Sequence, residues 1–319
     1  MSASGRPLPV RWNATMLRAW WQSPRADLLV AFLRSPLVVV ATCAALGLLA
    51  SGALAPWIAP YDLTDSLNIE LLDAFTPPVW EDAGLTQYLL GTDAHGRDML
   101  SAILFGLRTS LLVGLSAVSL ALLAGVGLGL LAGLGPGWLD GLIMRAADVQ
   151  LSFPAILVAL IIDGLARSFL PQAVHAEVAL FVVIFAIAAA NWVRFARTVR
   201  ACVLLERTKD YVHAAALIGR SRAYVALRHI LPNIASPIFV IATVDLGVAM
   251  LQEATLSFLG VGMPLDQPSL GSLVENGRNY LLSGEWWIAM MPGLTLVVLV
   301  LSINILGDWL ISAVNPKLR

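Results

Sequence analysis

The stretch KDYVHAAALIGRSRAYVALRHILPN, residues 209–233, is basic and alanine-rich, and it lies between two long apolar runs. Asp210, near its start, suits the first turn of a helix, where the helix dipole favours a negative charge. Gly219 readily adopts the left-handed backbone conformation that ends many helices. Ser221 is a good N-cap for a second short helix, which Pro232 is expected to end. The pattern predicts a helical hairpin within a connection between two apolar segments.

The composition of the whole chain is that of an integral membrane protein. Of its 319 residues, 58% are hydrophobic and 13% are charged, whereas soluble domains are about 45–50% apolar and about 25% charged. The net charge of −1 gives no indication of nucleic-acid binding. Two cysteines supply neither a disulfide framework nor metal-ligand spacing. We therefore expect no metal site, no bound cofactor and no nucleic-acid partner.

Six apolar segments are long enough to cross a bilayer, which requires about 20 residues. Within the second segment, Gly125, Gly129 and Gly133 recur every four residues and predict a face that another helix can approach closely. The predicted fold is an all-α membrane protein with six transmembrane helices. These spans cover residues 36–58, 109–134, 141–165, 177–200, 233–261 and 289–312.

The distribution of arginine and lysine orients the spans, because cytoplasmic segments carry an excess of both. Residues 1–35 contain five arginines and 194–232 contain seven arginines and one lysine, whereas 59–106 contains one arginine and eight acidic residues. We expect both termini and the loop 201–232 to lie in the cytoplasm and the loop 59–106 to lie outside. Residues 36–319 form the predicted transmembrane domain.

The segment 1–35 combines tryptophans with arginines, which suits an interfacial helix on the cytoplasmic surface. A disordered basic tail is the alternative. A cleaved signal peptide is disfavoured, because the first apolar run is longer than the usual apolar core of such a peptide.

The chain lacks the sequence patterns of an ATPase, a metalloprotease or a serine hydrolase. Its two lysines, Lys209 and Lys317, do not follow a glycine-rich loop, so the GxxxxGK[ST] phosphate cradle is missing. The patterns HExxH and GxSxG are missing too. We therefore expect a chain that is not an enzyme, and any energy from ATP must enter through another subunit.

Two acidic residues, Asp245 and Glu253, lie in the fifth apolar segment, two helical turns apart on one predicted face. Ionisable residues inside a membrane segment are candidates for a translocation path. They also allow an alternative function, an ion-coupled secondary transporter in which these carboxylates carry the ion. Paired inverted repeats would mark that alternative, and the sequence shows no convincing repeat.

Several motifs in the chain resemble one known family. The segments DYVHAAALIG (210–219) and LPN (231–233) are similar to the EAA loop of permease subunits of ATP-binding-cassette (ABC) importers. The resemblance covers roughly residues 27–319. A likeness to the C-type subunits of dipeptide, oligopeptide and nickel permeases is carried by LGTDAHGRDMLSAILFGLRTSLLVG (90–114), DVQLSFPAIL (148–157), EATLSFLGVG (253–262) and NILGDWLISAVNPK (304–317).

The resemblance implies a type I importer permease fold with a cytoplasmic coupling helix between spans four and five. In that family this helix docks onto a separate ATPase subunit and transmits its closure to the membrane helices. The candidate ATPase-coupling residues at matching positions are Asp210, Tyr211, His213, Ala214, Ala215, Leu217, Gly219, Leu231 and Pro232.

The resemblance also implies the function and the partners. The chain would be one of two permease subunits that move peptides or a similar small solute across the bacterial inner membrane by alternating access. Besides membrane lipid, its partners would be the second permease subunit, two ABC ATPase subunits that bind ATP and Mg, and an extracytoplasmic solute-binding protein.

Small side chains at Ala214 and Ala215 permit a close fit into a partner's groove, with Tyr211 and Leu217 as larger anchors. A hairpin that packs only on its own cytoplasmic face is the alternative. Three positions depart from the family pattern: His213 replaces the glutamate that opens the EAA motif, Leu270 replaces a tryptophan, and Asn315 replaces an aspartate.

The outer loop 59–106 is long and acidic. Asp93, Arg97 and Asp98 are candidates for folding it back as a lid or as a docking surface for the solute-binding protein. The alternative is that its acidity only keeps the loop outside.

Overall fold

The computed structural model describes residues 30–61, 71–263 and 267–314, whose regular structure is helical apart from one isolated β-bridge. The predicted all-α fold is confirmed. Most of the predicted N-terminal segment 1–35 lies outside the described residues. In chain order the helices are α1 (Pro36–Ala53), α2 (Ala55–Ile58), α3 (Met99–Leu134), α4 (Gly137–Leu151), α5 (Ala155–Phe169), α6 (Gln172–Glu206), α7 (Asp210–Leu217), α8 (Arg222–Val225), α9 (Leu231–Phe258), α10 (Leu270–Arg278) and α11 (Trp287–Val314).

By their internal contacts the residues divide into a small unit that ends at Val40 and a large unit that begins at Ala41. All packing described below belongs to the large unit. Within it, α3 packs along α6, and α9 packs against α3, α6 and α11. The short helix α10 packs against α3, α9 and α11.

Five helical stretches are long and apolar enough to cross a bilayer, as judged over the described residues. A sixth crossing requires α4 and α5 together, and these two helices meet at an angle of 92°. The five stretches are Pro36–Ala53, Met99–Leu134, Val178–Glu206, Arg222–Phe258 and Trp287–Ala313.

The bend between α4 and α5 differs from the single helix predicted over 141–165. Pro154 is the residue immediately before α5, and α4 ends at Leu151. Proline has no N–H to donate and disfavours a helical conformation at the preceding residue, Phe153. The apolar run therefore continues through residues 152–154, whereas the helix is interrupted there.

The second helix of the hairpin continues past Pro232, which corrects the prediction that it ends there. Ser221 caps α8 as predicted, because its Oγ accepts a 3.2 Å hydrogen bond from the Tyr224 N–H. After α8 the chain widens into a π-helical turn, Ala226–Ile230, and runs directly into α9. Pro232 lies in the first turn of α9, where a missing N–H is tolerated. The predicted break is instead a local change of helical pitch.

The glycine face of α3 lies in close contact with α6. A Cβ added at Gly125 would lie 2.4 Å from the Phe195 Cβ, and one added at Gly129 would lie 2.7 Å from the Ala196 carbonyl oxygen. Both neighbours belong to α6. The predicted small-residue face is confirmed, and it lets the backbones of α3 and α6 touch.

Candidate coupling helix and membrane path

The helix α7 ends as its sequence predicts. Gly219 has a φ of +79°, in the left-handed region that glycine reaches without strain. The Arg220 N–H then donates a 3.1 Å hydrogen bond to the Ala215 carbonyl, which closes the C-terminus of the helix. This turn sets the direction of the following chain into α8.

Tyr211 joins α7 to both neighbouring membrane helices. Its hydroxyl donates a 2.6 Å hydrogen bond to Glu206 Oε2 at the end of α6, and it accepts a 3.2 Å bond from Asn233 Nδ2 at the start of α9. Burial raises the pKa of the Tyr211 phenol, and the hydrogen bond to Glu206 raises it further. Lys209 forms an ion pair with the same carboxylate. The start of α7 is thus attached to α6 and α9 by polar contacts.

Ala215 packs inside the chain, unlike the prediction that it faces a partner's groove. Only 8% of its surface is exposed, and it belongs to an apolar cluster built from α6, α8 and α9. The cluster also includes Val199, Val203 and Ile234, and Leu231 packs against it. The alternative that the hairpin packs on its own chain is correct for this side of α7.

The opposite side of α7 is exposed. The side chains of Leu217 and Ile218 are 89% and 77% exposed, although both are large and apolar. Asp210, His213 and Ala214 are exposed as well, and so is Pro232. Ile218 was missing from the predicted set, although its position beside the Gly219 stop made it available for contact. An apolar tip of this kind is typical of a surface that another protein covers.

His213 lies at a basic cavity under the hairpin. The cavity has a volume of about 570 Å³, and its charged lining residues are Arg207, Arg220 and Arg222. Leu134 and Gly135, between α3 and α4, form part of its wall. A glutamate at position 213 would add a carboxylate to this arginine-rich lining, so histidine makes the cavity more basic than the family pattern implies.

In the outer loop, Asp93 and Arg97 build a tight turn. Arg97 Nη2 lies 2.7 Å from Asp93 Oδ2, while Asp93 Oδ1 accepts hydrogen bonds of 2.8 and 3.0 Å from the N–H groups of His95 and Arg97. Gly96 adopts a φ of +76° within the turn. These contacts are local, so both residues shape the loop itself.

Asp98 begins the long helix α3. Its carboxylate accepts 2.8 and 2.7 Å hydrogen bonds from the N–H and hydroxyl of Ser101. Burial raises the pKa of the Asp98 carboxyl, and the hydrogen bonds from Ser101 partly offset this. The loop before it is fastened to the start of α11, where Trp287 Nε1 donates a 3.0 Å bond to the Thr92 carbonyl. Thr92 is therefore attached to the start of α11, and Asp98 serves as the N-cap of α3.

Glu253 is the centre of a buried serine cluster where α3, α9 and α10 meet. Its carboxylate accepts hydrogen bonds of 2.9 Å from Ser110 and 2.8 Å from Ser257. The Ser110 hydroxyl in turn accepts a 3.1 Å bond from the Leu270 N–H in the first turn of α10. A fully buried carboxylate with these partners is a structural junction between helices.

Asp245 belongs to a different cluster, so the predicted pair of path acids is not brought together. Asp245 is buried, and its Oδ1 lies 2.5 Å from Arg194 Nη1 of α6. Arg194 Nη2 donates a 2.8 Å bond to Asn191 Oδ1, and Asn191 Nδ2 donates a 2.6 Å bond to Gln252 Oε1. Arg194 was missed by the sequence analysis, because a single sequence gives no signal that pairs residues of two distant helices.

Comparison with known proteins agrees with this architecture. The family described as "Binding-protein-dependent transport system inner membrane component" matches residues 125–319. The chain is 36% identical to the di/tripeptide transport system permease protein DppC of Pseudomonas aeruginosa, over 83% of each chain. It is 40% identical to the dipeptide transport system permease protein DppC of Escherichia coli K12, over 83% of this chain and 84% of that protein.

Among solved structures, the chain resembles one described as an inward-facing conformation of the MetNI methionine ABC transporter. The TM-score is 0.54 at 19% sequence identity, over 68% of this chain and 98% of the other. At this identity the likeness concerns the fold. The chain belongs to the family of binding-protein-dependent transport system inner membrane components, and it has the fold of an ABC importer permease.

Proposed function

We propose that this chain is one of two permease subunits of an ATP-driven importer that carries peptides across the bacterial inner membrane. Relatives at 36% and 40% identity are named as permeases for dipeptides and tripeptides, which supports a peptide as the solute. The excess of arginine in 1–35 and 194–232 supports a cytoplasmic position for both termini and for α7.

The other subunits supply what this chain lacks. Its sequence contains no phosphate cradle, so two ATPase subunits bind ATP and Mg and carry out hydrolysis. A solute-binding protein delivers the peptide on the outer side, in keeping with the description of the family. A second permease subunit completes the wall of the translocation path.

The observation that carries the proposal is that one side of α7 is attached to membrane helices while its C-terminal end is exposed. Its inner side is fixed to α6 and α9 by Tyr211 and by the packing of Ala215, whereas its tip presents Leu217 and Ile218 to the surroundings. A subunit that grips the tip would therefore move two membrane helices together. In this cycle, ATP binding closes the ATPase subunits, α7 moves with them, and the translocation path opens to the outside to receive the peptide. The cycle requires the inward-open and outward-open states to bind the peptide with different affinities.

The ion-coupled alternative has less support. Glu253 is held by two serine hydroxyls in a buried junction, and Asp245 is paired with Arg194. The two carboxylates therefore have different partners, an arginine for Asp245 and two serines for Glu253, and they do not form one shared ion site. Membership of a binding-protein-dependent family also favours a system that is driven by ATP.

The experiment compares two exposed leucines in the reconstituted complex. Leu217 is 89% exposed at the tip of α7, and Leu72 is 98% exposed in the outer loop. Leu217→Asp places a charge in an apolar contact, which costs several kcal/mol, and each ~1.4 kcal/mol is tenfold in affinity. We expect Leu217→Asp to lose the ATPase subunits on co-purification and to lose uptake, whereas Leu72→Asp keeps the ATPases. Normal assembly and ATP-dependent uptake by Leu217→Asp would contradict the proposal.

A further inference from the structure

The basic cavity under the hairpin has no counter-charge in its lining. Three of its lining residues are arginines, Arg207, Arg220 and Arg222, and none of the described residues that line it is acidic. All three arginines are exposed in the single chain. The carboxylates of Asp140 and Glu206, on α4 and α6, already form ion pairs with other cationic side chains. The cavity therefore carries a positive charge that no lining carboxylate balances.

Two of the three guanidinium groups are held in place by the fold. Arg207 Nη1 donates a 3.0 Å hydrogen bond to the Gly133 carbonyl at the end of α3. The guanidinium of Arg220 lies over the ring of Tyr224, 4.8 Å from its centroid, which is a cation–π contact. A guanidinium has five N–H donors, so these contacts orient both groups and leave donors for a ligand.

The basic cavity and the apolar tip of α7 belong to one surface. His213 lines the cavity and is exposed, and Leu217 follows it by four residues, so both lie on the same face of α7. Beyond the tip, Arg220 comes two residues after the exposed Ile218 and lines the cavity again. A protein that covers Leu217 and Ile218 therefore approaches the arginines as well.

Covering this surface has an energetic consequence. A partner that excludes water from the arginines without supplying a negative charge pays their desolvation and gains no ion pair, which weakens binding. A carboxylate offsets this loss, because it pairs with a guanidinium through two charge-assisted hydrogen bonds. The phosphate of a lipid headgroup would neutralise the arginines too, but it would leave the exposed Leu217 and Ile218 uncovered. One surface that satisfies both parts is that of a protein with acidic side chains.

Given the proposed function, on which this step rests, we infer that the ATPase subunit that contacts the tip of α7 places an acidic segment in the basic cavity. Its carboxylates pair with Arg220 and Arg222, while Leu217 and Ile218 supply the apolar part of the contact. Complementary charge fixes the register of an interface and rejects partners of the wrong sign. The cavity thus selects an ATPase whose docking surface is acidic.

The first test detects the acidic partner directly in the complete reconstituted complex. Arg222→Lys keeps the positive charge and introduces an amine, which a carbodiimide joins to a carboxylate in contact with it, forming an amide with loss of water. We expect mass spectrometry to find an amide between residue 222 and an aspartate or glutamate of an ATPase subunit. The matched control is Arg228→Lys, because Arg228 is an exposed arginine of the same hairpin outside the cavity lining. It should give no such bond.

The second test measures the affinity of the ATPase subunits for the permease in nanodiscs of phosphatidylcholine. We expect Arg222→Glu to weaken binding about tenfold or more, the loss that follows from one hydrogen bond to a charged group. Arg228→Glu should keep the parental affinity. Added NaCl screens exposed charges, so it should weaken ATPase binding more in the parent than in Arg222→Gln.

Equal affinity of Arg222→Glu and Arg228→Glu, with no amide at residue 222, would overturn the inference. If Leu217→Asp still lost the ATPase subunits in that case, the proposed function would stand without the acidic segment. Retention of the ATPase subunits by both Leu217→Asp and Arg222→Glu would contradict the proposed function as well. A loss of affinity in Arg222→Glu that appears only when the nanodiscs contain phosphatidylglycerol would assign the cavity to a lipid phosphate and overturn the inference too.

Discussion

The hydroxyl of Tyr211 donates a 2.6 Å hydrogen bond to Glu206 Oε2, and this bond connects the last residue of α6 with the first turn of α7. The same hydroxyl accepts a bond from Asn233 of α9. One phenol thus links the candidate coupling helix to two membrane helices. Movement of α7 without movement of α6 and α9 requires these bonds to break.

The first prediction concerns Tyr211→Phe. Loss of the hydroxyl should loosen α7 by about 1 kcal/mol, the usual net value of a hydrogen bond, without removing the apolar packing of the ring. We expect the ATPase subunits to remain bound while uptake per ATP hydrolysed falls severalfold. Tyr224→Phe is the control, since Tyr224 packs against Arg220 and His229 and the described residues give its hydroxyl no partner. Equal coupling in both variants would disprove the role of Tyr211.

Alkaline pH gives a second readout of the same hydroxyl. Burial raises the pKa of Tyr211 above its ordinary value of 10.0, so the folded state keeps the proton longer than the unfolded state does. The associated stability is fully present below pH 10.0 and is lost as the pH rises through the folded-state pKa. Above pH 10.0 the midpoint temperature of thermal unfolding should therefore decrease more steeply with pH in the parent than in Tyr211→Phe.

The second prediction compares two glycines of α3. Gly125→Ala places a Cβ 2.4 Å from that of Phe195, whereas Gly127→Ala meets no atom within 4 Å. We expect Gly125→Ala to destabilise the purified chain by about 1–3 kcal/mol, as overpacking does. Gly127→Ala should be neutral or stabilising by up to ~1 kcal/mol, because alanine is the better helix former. Similar melting temperatures for the two variants would contradict the close contact of α3 with α6.

The third prediction concerns Asp98. Because burial raises the pKa of this carboxyl, its charge is disfavoured, while its hydrogen bonds cap α3. Asp98→Asn keeps an acceptor without the charge and should change stability by less than about 0.5 kcal/mol, whereas Asp98→Ala should cost about 1 kcal/mol. Thermal unfolding in detergent measures both. If the asparagine variant is as unstable as the alanine variant, the charge itself is needed there.

The fourth prediction separates the structural role of Glu253 from ion transport. Glu253→Gln keeps a hydrogen-bonding group between Ser110 and Ser257, so uptake should remain driven by ATP and insensitive to proton uncouplers at constant ATP. Glu253→Leu leaves both serine hydroxyls without their acceptor and should destabilise the protein by roughly 1–3 kcal/mol. Uptake that uncouplers abolish while ATP is held constant would favour the ion-coupled alternative.

The sequence predicted those features that depend on local chemistry. Five of the six apolar runs became membrane-length helices, and Gly219 adopted the left-handed conformation. Ser221 caps α8 and the glycines of α3 contact α6, as predicted. In each case one residue type has a conformational or steric property that few others share. Such features are readable in a single sequence because they need no knowledge of which helices meet.

The sequence failed where the outcome depends on tertiary pairing. The side of α7 on which Ala215 lies, and the partner of Asp245, are decided by helices far away in the chain. The bend at Pro154 is a different case. The proline is a local signal for a helix break, but the continuous apolar run led to the prediction of one helix over 141–165. Asp93, Arg97 and Asp98 were predicted to form a lid or a docking surface, which stays a prediction; the contacts described here for Asp93 and Asp98 are local.

The contact of Gly125 and Gly129 with α6 has a mechanical consequence. With 36 and 35 residues, α3 and α6 are each about 53 Å long at 1.5 Å per residue. Two such rods whose backbones touch tilt as one body, and a tilt of about 5° around the midpoint shifts each end by about 2 Å. The Asp98 end of α3 must then swing whenever the Glu206 end of α6 is pulled. A displacement of the helix ends on one side of the membrane is thus transmitted to the other side by the rigidity of the helix pair.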